Sequence, residues 1–202
     1  MPLTLVITGF GPFPGAPENP SGVLAQWLAR RRRPAFADVR LIAHVFPTTY
    51  AAVERELPAL LAKHRPDAIL MFGLAPRARH LRIETRARNR ASALFPDAER
   101  RKPSVLRLAA KGPDVLPVRA PVSRLVQAAR AAGTRASLSH DAGRYLCNAL
   151  LWRVLESETR AGRPRVTAFV HIPRAQRLCF AKLVRAGEAI MGEILAAARR
   201  SR

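Results

Sequence analysis

The stretch LTLVITGFGPFPGAPENPSGVLAQWLARRRRP, Leu3–Pro34, contains the alternation from which the fold follows. Leu3 to Thr8 reads as a short apolar strand that stops at a turn dense in Gly and Pro. Behind Ser21 the period changes. Val23, Leu24, Trp27 and Leu28 fall on one face of a helix that Pro34 stops. The unit then recurs: Val39 to Phe46 is a second apolar strand, and Tyr50 to His64 is a helix in which Pro58 predicts a kink or break. DAILMF, Asp67 to Phe72, is a third strand that ends at Gly73. Strands separated by helices of this length predict an α/β protein with a mostly parallel sheet covered on both faces.

Farther along, Arg77 to Lys111 is Arg-rich, with a short β-like piece at Leu81 to Thr85 and then loop character. It is expected to be an excursion from the sheet. Asp114 to Val118 predicts another short strand, and Val122 to Ala132 a helix stopped by Gly133. Ala142 to Glu158 predicts a helix with Asp141 as its N-cap. RVTAFVHIP, from Arg165, is a strand ended by Pro173, and Ala175 to Arg200 is a closing helix. No internal repeat is present, and no glycine pattern of the dinucleotide or P-loop type follows a strand.

The 202 residues, 49% hydrophobic, suffice for a single domain over 1–202, since a chain of this length buries about 70% of its unfolded surface. No apolar run reaches the roughly 18 residues of a membrane span. MPLTLVITGF also lacks the basic n-region and cleavage pattern of a signal peptide, so a cytoplasmic location is expected. Two cysteines do not make a disulfide framework. The formal charge of +21 attracts anionic surfaces non-specifically. The arginines that dominate it are spread through helices and turns from Arg30 to the last residue, as in an Arg- and Ala-biased coding background. The run ARRRRP, Ala29–Pro34, decorates a helix end, where cations oppose the dipole. Zinc spacing, RNP-like aromatics and basic–aromatic interleaving are all missing, so no specific nucleic-acid partner is expected.

In open α/β sheets ligands bind outside the carboxyl ends of the strands. Three polar or flexible features fall there: Gly9 to Phe13, Gly73 onward, and His171. LSHDAGRYLCNALLWRV, Leu138–Val154, adds Cys147. Helical periodicity alone makes Cys147 a small buried filler, because free Cys behaves as a hydrophobe. Near a helix start the same thiol is a candidate nucleophile, since the positive helix end stabilises a thiolate within about the first turn. That gain is larger if the helix starts near Tyr145 than if Asp141 caps it. A histidine in reach would take the thiol proton, and a carboxylate would fix its tautomer. Cys147 and His171 are separated by one helix and one strand and meet at one sheet edge if those elements are adjacent; spacing alone selects no carboxylate.

Three segments resemble, in matching order, the pyrrolidone carboxyl peptidases, the pyroglutamyl peptidase I family of cysteine peptidases. ITGFGPFPGAPENPS is similar to that family's GF-x-PF-x-G-x-x-x-NPS opening, LSHDAGRYLCN to its S-x-x-AG-x-Y-x-CN segment, and FVHIP to its F-x-H-x-P segment. The resemblance implies a single-domain, three-layer α/β/α sandwich with an open, mostly parallel sheet, assembled as a cytoplasmic homotetramer or dimer. It implies Cys147 as nucleophile, His171 as general base and Glu84, in HLRIETRARN, as the triad carboxylate. Phe10 and Phe13 match the aromatics of the substrate pocket, and Asn19 the Asn of the opening segment. The implied partners are peptides with an N-terminal pyroglutamate, with no metal or cofactor. A related thiol amidase of altered specificity and a catalytically degenerate binding protein of the same fold are the alternatives.

The resemblance thins between Gly73 and Asp97. Arg77 and Ala78 replace a Gly-Arg pair, Thr85 stands where an Arg follows the Glu, and Ser92 and Leu94 occupy the Asp and Arg positions of a D-A-R segment. Leu in place of Arg removes up to five donors and a fixed charge. Arg79, Arg86 and Arg88 are the candidates to compensate. Pro14-Gly15 stiffens the opening turn, and Cys179, in RLCFAKLV, is expected to serve core packing or a subunit contact.

Overall fold

The chain runs β1 (Leu3–Phe10), α1 (Pro20–Ala29), β2 (Val39–Phe46), α2 (Tyr50–His64), β3 (Ala68–Leu74), β4 (Leu81–Glu84), β5 (Arg86–Arg88) and β6 (Val115–Pro117). It continues through α3 (Val122–Ala131), β7 (Ala136–Ser139), α4 (Leu146–Ala161), β8 (Val166–Ile172) and α5 (Phe180–Arg200). These elements come from a computed structural model that describes residues 2–103, 105–162, 165–174 and 177–202.

Six strands form one sheet in the order β2-β1-β3-β8-β4-β7. The first four are parallel; β4 runs antiparallel to β8 and parallel to β7. Both faces of the sheet are apolar, which is why β1 and β3 lack polar alternation. Leu3, Leu5, Ile7, Leu70 and Val170 pack against α1, α3 and α5, whereas Val6, Ile69, Met71 and Phe169 pack against α2 and α4. The three-layer α/β/α sandwich with a mostly parallel sheet is therefore present. β5 and β6 pair as a separate two-stranded piece whose Ala87 joins the α4 side of the core.

Several element boundaries depart from the sequence expectation for local reasons. Leu81 to Glu84 belongs to the sheet instead of leaving it; the strand is too short, and too polar at Arg82 and Glu84, to show a period. β7, with two serines in four residues, lies in a region where no strand was expected. The expected helix from Ala142 begins at Leu146, because Gly143 takes a left-handed conformation (φ 81°) and Asp141 Oδ1 accepts from the Gly143 N–H in a turn. α5 begins at Phe180, with Cys179 extended and exposed at its cap position, and Ala175 lies outside the described residues. α1 ends at Ala29, and the basic run after it is tied down: Arg31 stacks on Trp27 and, with Arg33, ion-pairs Glu188 of α5. Pro58 does not break α2. It lies on the exposed side of the helix.

The start of α1 sits against the end of β1. Asn19 Oδ1 accepts from the Ser21 N–H, and Pro20 occupies the first helical position. A Cβ on Gly9 would lie 2.2 Å from the Ser21 carbonyl oxygen, so only glycine allows this approach. Gly9→Ala is expected to cost about 3 kcal/mol or more of stability through overpacking against backbone, read as a lower urea midpoint; an unchanged midpoint would contradict this packing.

Candidate active site

Three residues lie in one row across the sheet. Gly73 registers with His171 in the β3–β8 pair, and His171 registers with Arg82 in the antiparallel β8–β4 pair. His171 and Glu84 share the α2–α4 face, because their neighbours Val170, Ile172 and Ile83 belong to the opposite core. Both are buried, Glu84 completely, and His171 Nδ1 lies 2.8 Å from Glu84 Oε1. A carboxylate accepts, so Nδ1 carries a proton and Nε2 is the nitrogen left for proton exchange with Cys147. Burial pulls the His171 pKa down. The negative charge and hydrogen bond of Cys147, joined by those of Glu84, outweigh burial and raise it to about 9.

Cys147 is the second residue of α4, after Tyr145 in an extended conformation, and no side chain caps the helix. The half-buried sulfur therefore lies in the first turn, where unpaired backbone N–H groups make the helix end positive. A Cβ on Gly73 would stand 2.7 Å from that sulfur and 2.8 Å from Phe169 Cζ, so the absence of a side chain on β3 makes room for the thiol. Asn148, fully buried, fastens the helix start: its Oδ1 accepts from Arg88 N–H, and its Nδ2 donates to the carbonyls of Arg88 and Arg90.

Cys147 and His171 open into a cleft of about 610 Å³ lined mainly by apolar side chains, including Phe13, Leu74, Phe95, Pro96 and Tyr145. One wall is held by polar contacts. Tyr145 Oη donates to the Pro96 carbonyl at 3.0 Å, and buried Asp97 accepts from the N–H groups of Tyr50, Glu99 and Arg101. Burial, then the charges of Asp97 and Cys147, raise the Tyr145 phenol to about 12, so it remains a neutral donor.

A family model for pyroglutamyl peptidase matches residues 3–192. The chain belongs to the pyroglutamyl peptidase family. The pyrrolidone-carboxylate peptidase of Thermococcus onnurineus (strain NA1) is 33% identical over 172 residues, 85% of this chain and 84% of that protein. Pyrrolidone carboxyl peptidase from Thermococcus litoralis has the same fold, with a TM-score of 0.91 at 24% identity and coverage of 100% of this chain and 97% of that one. Bacillus amyloliquefaciens pyroglutamyl peptidase I gives a TM-score of 0.84 at 26% identity, covering 98% and 97% of the two chains.

Of the site residues expected for a pyroglutamyl peptidase, the fold brings together Cys147, His171, Glu84 and Phe13. Phe13 is half-buried in the cleft wall, on a turn closed by its pairing with Ala16 around Gly15 (φ 90°). Phe10 and Asn19 are placed elsewhere. The Phe10 ring is buried in the core against Phe46, 6.2 Å between centroids. Asn19 caps α1 and donates to the Gly11 carbonyl, so it holds the turn that presents Phe13. Leu94 is 79% exposed. Arg86 and Arg88 are bound to the turn at His140 and Asp141, and the arginine that lines the cleft among the described residues is Arg100. Sequence reasoning missed Arg100, Asp97, Tyr145 and Asn148. Of these, Tyr145 and Asn148 were detectable, since both stand at named positions of the S-x-x-AG-x-Y-x-CN pattern, and Asn148 is also a polar residue at a buried position of an apolar helix.

Gly73→Ala is expected to displace the Cys147 sulfur and lower kcat/KM for peptidase substrates by about 100-fold, the cost of misplacing a reacting atom by about 1 Å. Steady-state kinetics with the variant checks this; an unchanged kcat/KM would show that the close approach does not position the thiol.

Proposed function

We propose that this protein removes N-terminal pyroglutamate from peptides, with Cys147 as nucleophile, His171 as general acid and base, and Glu84 as the group that orients His171. The observation that supports this most strongly is the Glu84–His171 hydrogen bond, with His171 lining the same apolar cleft as a thiol at the start of α4. The Cys147 sulfur attacks the pyroglutamyl carbonyl. His171, which holds its second proton through neutral pH, gives that proton to the leaving amine as the amide C–N bond breaks. Water, deprotonated by His171, hydrolyses the thioester and restores the thiol. Backbone N–H groups in the first turn of α4 are the donors available to the developing oxyanion.

The cleft suits a small, flat, uncharged ring. Phe13 and its apolar neighbours contact the ring faces, and the lactam N–H and C=O each require a partner. A ring that leaves such a partner unpaired loses about 1–3 kcal/mol, which selects against proline-like substrates.

Hydrolysis of chromogenic pyroglutamyl, prolyl and glutamyl amides tests this reading. The pyroglutamyl amide is expected to be preferred, and Cys147→Ala to lose about ten-thousand-fold in kcat. Equal turnover of the prolyl amide, or an active Cys147→Ala variant, would overturn it. The pH profile follows from His171. Its pKa is raised from 6.5 to about 9, so the proton donor for the leaving amine persists through neutral pH, and kcat/KM falls as pH rises through about 9. Glu84→Gln removes the raising contribution of that carboxylate and is expected to move the alkaline limb toward 6.5; a limb that stays in place would contradict the assigned role of Glu84.

A further inference from the structure

β4 carries a second charged side chain on the face that bears Glu84. Arg82 stands two residues before Glu84 and opposite His171 in the β4–β8 register. Its Nη2 donates to Ser139 Oγ at 2.6 Å and to the Asp141 carbonyl at 3.0 Å, while its Nε lies 3.9 Å from Glu84 Oε1. That oxygen is the one bonded to His171, and the other carboxylate oxygen, Oε2, is buried with no hydrogen-bond partner among the described residues. Ser139 ends β7, and Asp141 lies in the turn that leads to Cys147 at the start of α4. One guanidinium thus links the carboxylate behind His171 to the segment that delivers the thiol.

We propose that Arg82 is a positioning residue of the active site, a cation that tempers the charge Glu84 presents to His171 and clamps the 139–141 turn ahead of Cys147. The inference rests on Cys147, His171 and Glu84 being the reacting unit. A fully buried carboxylate with one hydrogen bond is costly unless a second charge compensates it, and Arg82 is placed to do so. Its five donors in a fixed fork let it reach turn and carboxylate together, which a lysine point charge does not. The side chain is 38% exposed, so solvent screens part of its field. The other charged or titratable groups around His171 are Glu84 from β4, Cys147 from α4, and Asp97, Arg100 and Tyr145 of the cleft lining. Among the described residues, only Arg82 and His171 ion-pair with Glu84. Removing the Arg82 charge leaves more negative potential at His171, which then holds its proton to higher pH.

The test is an NMR titration of His171 in wild type, Arg82→Ala and Arg82→Lys, with kcat and KM for the pyroglutamyl amide measured alongside. Arg82→Ala is expected to titrate above wild type, and Arg82→Lys close to wild type. The kcat of Arg82→Ala is expected to fall about tenfold with KM nearly unchanged, and Arg82→Lys to recover part of it by restoring charge without the fork. An unchanged or lowered His171 titration in Arg82→Ala, or a lysine variant that titrates like the alanine variant, overturns the inference. A structural contribution to folding alone would not move the titration. The titration needs no substrate, so a wild type inactive on the pyroglutamyl amide would overturn the substrate assignment while leaving Arg82 to be decided by its own readout.

Discussion

The hydrogen bond between His171 and Glu84 joins two buried ionisable groups in a sheet whose two faces are largely apolar. An ion pair away from water is tolerated only where geometry is good and neighbouring groups compensate the remaining charge. The topology supplies that geometry. Had β4 continued the parallel order, its chain direction beside β8 would be inverted; running antiparallel, it puts Arg82 opposite His171 and Glu84 one step diagonal to it. The return of β7 parallel to β4 then brings Ser139 and the following turn to the same edge. The reversal that makes the sheet mixed is therefore the feature that assembles the site.

The sulfur is placed by subtraction as much as by contact. Gly73 leaves a gap over β3, α4 starts late enough for Cys147 to occupy its first turn, and Asn148 ties that turn to β5. The described residues of the long connection between β5 and β6 are tied down at several points. Asn89 bonds the Ala109 N–H and carbonyl and the Pro113 carbonyl, and Asp97 and Tyr145 pin the part that becomes the cleft wall. These buried polar side chains replace the backbone pairing that a regular element would have provided.

Much of this was legible beforehand where periodicity is strong. β2 and α2 lie where the spacing put them, and β1, β3, β8 and α3 within two residues of it, because apolar runs and helical stripes of that length leave few alternatives. The short strands β4 and β7 were not legible as sheet members, since four residues carry no usable period and their partners are distant in sequence. The start of α4 turned on Gly143 taking a left-handed turn, a local choice that an Asp at position 141 disguised as a helix cap. In the site, motif resemblance picked out Cys147, His171 and Glu84, while Arg82 and Arg100 were hidden among many arginines. Most of those arginines have structural or solvated roles: Arg153 joins Glu54 and Glu156, Arg199 joins Asp38, and Arg31 and Arg33 join Glu188. Composition alone cannot separate such residues from the one or two that matter to chemistry.

The central claim is that Glu84, His171 and Cys147 act as one unit that makes the sulfur a nucleophile toward an acyl group. Its most direct test is to mix the protein with a slowly hydrolysed pyroglutamyl ester, quench in acid and locate any covalent acyl group by peptide mass spectrometry. The account predicts a pyroglutamyl thioester on the peptide that contains Cys147, formed in a burst and lost on further incubation. Turnover with no adduct at Cys147, or an acyl group carried by Cys179 instead, would contradict it.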